Sequence, residues 1–322
     1  MYTHEGYHIG DAWYYVAGDV VHMFYLTAKI KGENSTLIQG DQVPFVGHAV
    51  SRDLVNWQRL APALQTGDRG SWDDLQLCTG SILRRHNRYW MAYAATSSID
   101  STLENPWMVQ RGGMAVSDDL LTWQKISRNP VTVARPPHYE QLSTGQREMA
   151  HWRDPFMFVE KDVVYQYLCA RRRDGEVGSR GTVAVTRSRD MLHWEILPAL
   201  KHDRVAEEME VPQVYHINDR WYLVFCTLGR FFVPEFVERF GGCLPERSTF
   251  SMVGDSPFGP FHIHGTGQIV EHGLDEYFTA GQLVCFAGQW YLLVTSHDEQ
   301  GERISDPLPV QVDAKGVHAE RK

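Results

Sequence analysis

The chain has 322 residues, a formal charge of −9 and a heavy aromatic share of ten Trp, fourteen Tyr and fourteen Phe. That charge, spread without basic runs, disfavours nucleic acid and suits a neutral small molecule or sugar, and no run of about 18 apolar residues is present to span a membrane. The start, MYTHEGYHIGDAWYY, has neither a basic leader nor an apolar signal core, and Cys78, Cys169, Cys226, Cys243 and Cys285 form an odd set without metal-type spacing, so a cytoplasmic chain with buried reduced thiols is expected.

Short runs rich in Val, Tyr, Trp and Phe dominate, separated by turns such as Ala17-Gly18-Asp19, His86-Asn87-Arg88, Asn218-Asp219 and Ala287-Gly288, and long amphipathic helices are missing. Five hairpins superpose in chain order: GDAWYYVAGDVVHMFYL, TGSILRRHNRYWMAYAA, RDPFMFVEKDVVYQYL, VPQVYHINDRWYLVFC and AGQLVCFAGQWYLLVTS. Their equivalent points are Asp11, Gly80, Asp154, Val211 and Gly281, a period of about 67 residues. A second signature keeps the same step. GHAVSRDLVNW, GGMAVSDDLLTW and VAVTRSRDMLHW end at Trp57, Trp123 and Trp194, and the variant SMVGDSPFGPF ends at Phe261. In each, a strand of small and apolar residues enters a polar turn, and an aromatic returns to the sheet.

A hairpin, that strand and its return make a four-stranded antiparallel sheet, and repeated sheets of this size are propeller blades. The expected fold is all-β: one five-bladed β-propeller over residues 1–322, with no C-terminal β-sandwich. The bland alternative is a β-sandwich with chance likeness between its hairpins. The polar stretch from His138 to Met149 reads as a loop over one face.

Three acids fall on this repeat: Asp11 in HIGDAW, Asp154 in HWRDPF and Glu210 in MEVPQ. On innermost strands they would meet at one mouth of a central channel. Like charges at short range resist joint ionisation, so such a cluster points to chemistry or to a cation. Glycoside hydrolysis needs one carboxylic acid for the leaving oxygen and one carboxylate to attack or to activate water. Glu210, with the longer reach and a proton affinity raised by its neighbours, suits the acid. Asp11 is then nucleophile or base, and Asp154 holds hydroxyls and steadies positive charge on the ring. Taken singly, Asp11 could cap a turn and Asp154 could pair structurally with Arg153, while Glu207 and Glu208 read as solvated loop charges. Trp13, Trp72, Asp73, Arg153, Gln213 and Tyr277 are the candidate sugar-binding residues, although most Trp here would pack blades. His297 reads as a hydrogen-bonded core residue. No metal ligand set and no organic cofactor is expected.

At these motifs the chain resembles glycoside hydrolase family 32, the β-fructofuranosidases. GHAVSRDLVNW matches the signature after the first hairpin, LCTGSI a Ser-Gly-Ser segment, HWRDPF an Arg-Asp-Pro motif and MEVPQ a Glu-Cys-Pro motif. The resemblance spans nearly the whole chain. It implies Asp11 as nucleophile, Asp154 as transition-state stabiliser assisted by Arg153, and Glu210 as acid/base, with retention through a covalent fructosyl-enzyme. The chain departs from the family in reading Gly10-Asp11-Ala12-Trp13 where Asn-Asp-Pro-Asn-Gly is usual, and around Leu26, where a glutamine usually ends the next strand. The related family 43 of inverting arabinosidases and xylosidases shares the five-bladed fold, and SPFGPF is at home there.

The expected partner is therefore an oligosaccharide, with no nucleic acid and no membrane, and a partner subunit could complete the substrate site as a homo-oligomer. Beside the fructosidase stand an inverting pentosidase and a carbohydrate-binding propeller without catalysis.

Overall fold

The computed structural model describes residues 1–31, 44–102, 105, 107–142, 149–241, 244–271, 277–298 and 301–320. Five antiparallel sheets follow one another along the chain. The first holds β1 (Tyr7–Ala17), β2 (Val20–Lys29), β3 (Phe45–Ser51) and β4 (Gln58–Arg59), with β5 (Leu64–Gln65) also on β3. The second holds β6 (Gln76–Arg85), β7 (Arg88–Thr96) and β8 (Arg111–Ser117), with β9 (Gln124–Lys125) and β10 (Thr132–Val133) both on β8. The third is β11 (Trp152–Glu160), β12 (Val163–Arg171), β13 (Gly181–Ser188) and β14 (Glu195–Leu197). The fourth is β15 (Glu210–Ile217), β16 (Arg220–Leu228), β17 (Arg247–Gly254) and β18 (Phe261–His262). The fifth holds β19 (Thr279–Phe286), β20 (Gln289–Asp298), β21 (Gly301–Ile304), β22 (Leu308–Val312) and β23 (Val317–Ala319). The five-bladed propeller expected from the repeat is therefore present. Two blades have four strands, and blades one, two and five gain a short fifth one. Among the described residues helix is confined to α1 (Pro234–Val237) and two single 3-10 turns, and no helix is long and apolar enough to cross a membrane.

The aromatic wealth is spent between blades. Trp13 and Phe24 of blade one stack at 6.3 Å and meet Leu77, Met91 and Tyr93 of blade two. Tyr167 and Val183 of blade three pack with Phe225 and Phe250 of blade four. The outer turns repeat one device at Ser51-Asp53-Trp57, Ser117-Asp119-Trp123 and Ser188-Asp190-Trp194. In the second, Ser117 Oγ accepts the Leu120 amide at 2.9 Å, Asp119 Oδ1 accepts the Leu121 and Thr122 amides at 2.8 Å each, and Trp123 Nε1 donates to Leu120 O at 3.1 Å. Leu54, Leu120 and Met191 hold φ of 64°, 66° and 69°, a left-handed turn that the serine, aspartate and tryptophan bonds over-determine. This is the physical content of the second sequence signature.

The ring closes through the N-terminus. Tyr2 exchanges two backbone hydrogen bonds with Ile304 of blade five, at 2.9 and 3.0 Å. Glu302 accepts the Ile9 amide at 3.2 Å and lies 3.1 Å from His8 Nδ1. His138 to Met149 is more than a surface loop. Tyr139 is fully buried against Trp152, its hydroxyl donating to Leu197 O at 2.8 Å, and Glu140 pairs with Arg171 and Arg180; residues 143–148 and Cys243 lie outside the described residues. Cys78, Cys169 and Cys226 are buried free thiols, whereas Cys285 is exposed.

Candidate active site

Every innermost strand breaks register near its start. Pairing skips two residues between Ile9 and Ala12, Leu77 and Gly80, Arg153 and Phe156, Glu210 and Gln213, and Thr279 and Gln282. Bulges re-aim side chains and free backbone groups, and here five of them surround one axis. The register also corrects the sequence alignment. Glu210 is the last paired residue before its bulge, Asp154 the first bulged residue of its strand and Asp11 the second. The three acids are thus staggered by one position each, where the motif alignment set them as near equivalents.

Equivalent bulge positions of adjacent blades bond to one another. Arg153 Nη2 donates to Glu210 Oε1 at 2.5 Å, the Val211 amide to Asp154 Oδ2 at 3.1 Å, and Thr79 Oγ1 to Asp11 Oδ2 at 2.8 Å. Asp154 and Val211 take φ of 58° and 47°, strained for non-glycine residues and for a β-branched one above all. Such strain marks functional positions, and each of the two residues is followed by a proline, Pro155 or Pro212, whose ring restricts the bulge further.

Arg153 is the hub. Its Nη2 also reaches Glu208 Oε2 at 3.0 Å, its Nε lies 3.4 Å from Asp154 Oδ2, and its Nη1 meets His151 Nδ1 at 2.6 Å and Gln110 Oε1 at 3.3 Å. Arg247, at the start of β17, sends positive charge toward Asp11. Burial pushes the Asp154 carboxyl up to about 7, with Asp11 and Glu210 adding to the rise against Arg153. Burial also raises Asp11, helped by Glu210 and opposed by Thr79, Arg247 and Arg153, and it raises Glu208, where Arg153 opposes. Sequence reasoning assigns raised proton affinity to Glu210. The Glu210 side chain, 24% exposed, is more open to solvent than those of Asp154 and Glu208, at 4% and 6%.

The other candidates divide. Trp13 is fully buried between blades one and two and presents no face to a sugar. Trp72 is half-buried, tilted on Tyr93 at 5.4 Å, and a side chain at Gly113 would collide with its ring at 2.4 Å. Asp73 is a buried tie: Lys125 Nζ lies 2.5 Å away and the Tyr93 hydroxyl donates to it at 3.1 Å. Gln213 spans two blades, its Nε2 donating to Val211 O at 2.8 Å and Gly281 O at 3.0 Å. Trp13, Asp73 and Gln213 are thus buried in packing and bracing contacts, whereas Trp72 keeps part of its surface open. Tyr277 stays half-buried at the mouth, its backbone bridged to Arg247 and its ring 5.9 Å from His297. His297 itself is exposed, not a core residue.

Glu207 and Glu208, read from sequence as solvated, are 2% and 5% exposed. Glu207 accepts the Arg180 amide at 2.7 Å and borders a cleft of about 350 Å³ with Arg204, Arg230, Phe231 and Phe232. The signal missed was period two: Glu208 lies two residues from Glu210, and His151 two from Arg153, so each pair shares one face of an extended chain.

With this geometry in place, comparison with known proteins is informative. The model of the glycosyl hydrolases family 32 N-terminal domain matches residues 13–279, a span that includes Asp154 and Glu210 and begins two residues after Asp11. A sucrose-6-phosphate hydrolase of Zymomonas mobilis is 27% identical over 191 residues, 57% of this chain and 34% of that protein. A fructosyltransferase of Allium cepa is 26% identical over 197 residues, 60% of this chain and 30% of that protein. The chain thus matches about a third of the length of these relatives. Among solved structures, a B. subtilis levansucrase variant superposes with a TM-score of 0.75 at 13% identity, covering 98% of this chain and 86% of that one. A Bombyx mori family 32 β-fructofuranosidase gives 0.69 at 18%, covering 98% and 64%. An inulosucrase from Halalkalicoccus jeotgali bound to kestose gives 0.77 at 16%, covering 98% and 87%. At these identities the superpositions speak to the fold.

Proposed function

This chain belongs to glycosyl hydrolase family 32, and from that premise we propose that it cleaves β-fructofuranosides by retaining double displacement. Asp11 attacks the anomeric carbon while Glu210 gives its proton to the departing oxygen, leaving a fructosyl ester on Asp11 and a free alcohol. Glu210, now a carboxylate, takes a proton from water. The water oxygen attacks the anomeric carbon, the ester bond breaks, and Asp11 returns as carboxylate. Asp154 binds sugar hydroxyls and faces the positive charge that develops on the ring, with Arg153 holding it in place. The observation that carries this reading is the convergence of the three acids on one site: a single Arg153 side chain reaches Glu210 at 2.5 Å and Asp154 at 3.4 Å, and Asp11 lies close enough for its charge to be felt at Asp154.

The test is a screen of sucrose, sucrose 6-phosphate, inulin and levan oligosaccharides, with nitrophenyl pentosides as controls, followed by the anomeric form of the first product. Release of the β-anomer from a fructoside, lost in Asp11→Asn and lowered about 10² to 10⁴-fold in Glu210→Gln, is expected. Inversion, or turnover confined to pentosides, refutes the assignment.

A further inference from the structure

We propose that Glu208 is a positioning residue of this active site, clamped between His151 and Arg153 so that the guanidinium bridges Glu210 and Asp154. The inference rests on the glycosidase reading for its chemistry and on geometry alone for its placement. Glu208 spends both oxygens inside the cluster. Oε2 accepts from Arg153 Nη2 at 3.0 Å, and Oε1 lies 3.3 Å from His151 Nε2. All three side chains are nearly closed to solvent, at 6%, 1% and 11% exposure.

Arginine has no acceptor, so His151 Nδ1, 2.6 Å from Arg153 Nη1, accepts there. A neutral imidazole carries its proton on the other nitrogen, so Nε2–H is the side turned to Glu208 Oε1, an electrostatic contact at 3.3 Å. His151 and Glu208 thereby brace the fork from two sides, and Gln110 Oε1 takes a second bond from Nη1. Without Glu208, Nη2 keeps only Glu210, and the long arginine regains the freedom to swing. A misplacement of about 1 Å can cost a hundredfold in rate.

Glu208 also sets the charge balance. Facing it are Arg153 and His151 of the third blade's inner segment, Cys169 and Arg171 of β12, and Glu210, two residues on at the start of β15. Around the cluster it joins stand Asp11 of β1, Asp154 of β11, Cys78 of β6, Cys226 of β16 and Arg247 of β17. A negative charge on Glu208 repels the Glu210 carboxylate; Glu208→Gln removes that charge while keeping an acceptor for Arg153 Nη2, which eases ionisation of the neighbouring acids, whereas Glu208→Ala also frees the guanidinium.

The experiment compares wild type with Glu208→Gln and Glu208→Ala, using sucrose and inulin oligosaccharides as probes. Expected are a kcat loss of about 10- to 100-fold with KM little changed, and an alkaline limb of kcat/KM displaced to lower pH by about one unit. A buried pair that served stability alone would lower the melting temperature and leave the limb in place, and that result overturns the proposal. If Glu208→Gln matches wild type while Glu210→Gln is dead, the proposal fails and the glycosidase reading stands. If wild type cleaves no fructoside, that reading fails. The crystal structure of Glu208→Ala then decides placement: Arg153 leaving Glu210 upholds it, and an unmoved guanidinium overturns it.

Discussion

Asp154→Asn is expected to stabilise the protein while destroying its activity. The carboxyl is 5% exposed and its pKa is pushed up to about 7 by burial, Asp11 and Glu210, from an ordinary 3.8. Below pH 3.8 both folded and unfolded forms are protonated and the group is neutral in its effect. As pH rises, the unfolded chain loses the proton first and the folded one retains it, so stability falls by about 1.4 kcal/mol per unit until pH passes 7. Over the interval this is about 4 kcal/mol, and asparagine, which keeps the acceptor for the Val211 amide, is spared it. For 322 residues with an unfolding entropy of about 2.1 cal/mol/K per residue, that corresponds to about 6 °C. Differential scanning calorimetry of both proteins from pH 4 to pH 8 measures the effect. The curves should meet at the acid end and diverge toward pH 8 with the variant higher. A variant that melts at or below wild type at pH 8, or a gap that ignores pH, refutes the argument that these acids are held together against their own repulsion.

Three further outcomes follow from the fold. Ser117→Ala removes the acceptor for Leu120 and the donor to Asp119 in a blade turn, and should cost about 1–2 kcal/mol in denaturant melts with kcat/KM unchanged. Gly80→Ala sets a Cβ 2.3 Å from the Ala92 carbonyl oxygen; backbone must move, so a loss of roughly 1–3 kcal/mol is expected, and an unchanged melting curve would contradict the register. Tyr2→Ala strips a buried ring whose hydroxyl bonds Tyr25 at 2.8 Å and should lower stability by roughly 2–3 kcal/mol, with hydrogen exchange rising first in β21.

The blade count was legible because two unlike patterns, the hairpin and the serine–aspartate–tryptophan turn, keep one period, and a sandwich has no reason to do so. The acids were legible as members of that repeat. Their true stagger was hidden, since a bulge inserts residues without a compositional mark, and only pairing partners such as Glu210–Cys226 reveal where the count restarts. The burial of Trp13 was hidden for a related reason. Trp13 is one residue beyond its bulge and so turns into the seam with blade two, a fate decided by Phe24 and Leu77 rather than by Trp13 itself. Glu208 and His151 needed only the alternation rule, but a run of three acids resembles a solvated edge until Arg153 arrives from another blade to neutralise it.

The bond between Tyr2 and Ile304 has a temporal meaning. Blades one, three and four each bring an acid, and blade one, already seamed to blade two, meets blade five only when that sheet has been made and latched onto Tyr2. A nascent chain therefore owns every reactive group long before it owns a reaction centre. Moving the ends elsewhere by circular permutation, with the old ends joined, would turn that latch into continuous chain and ask another seam to carry the closing step.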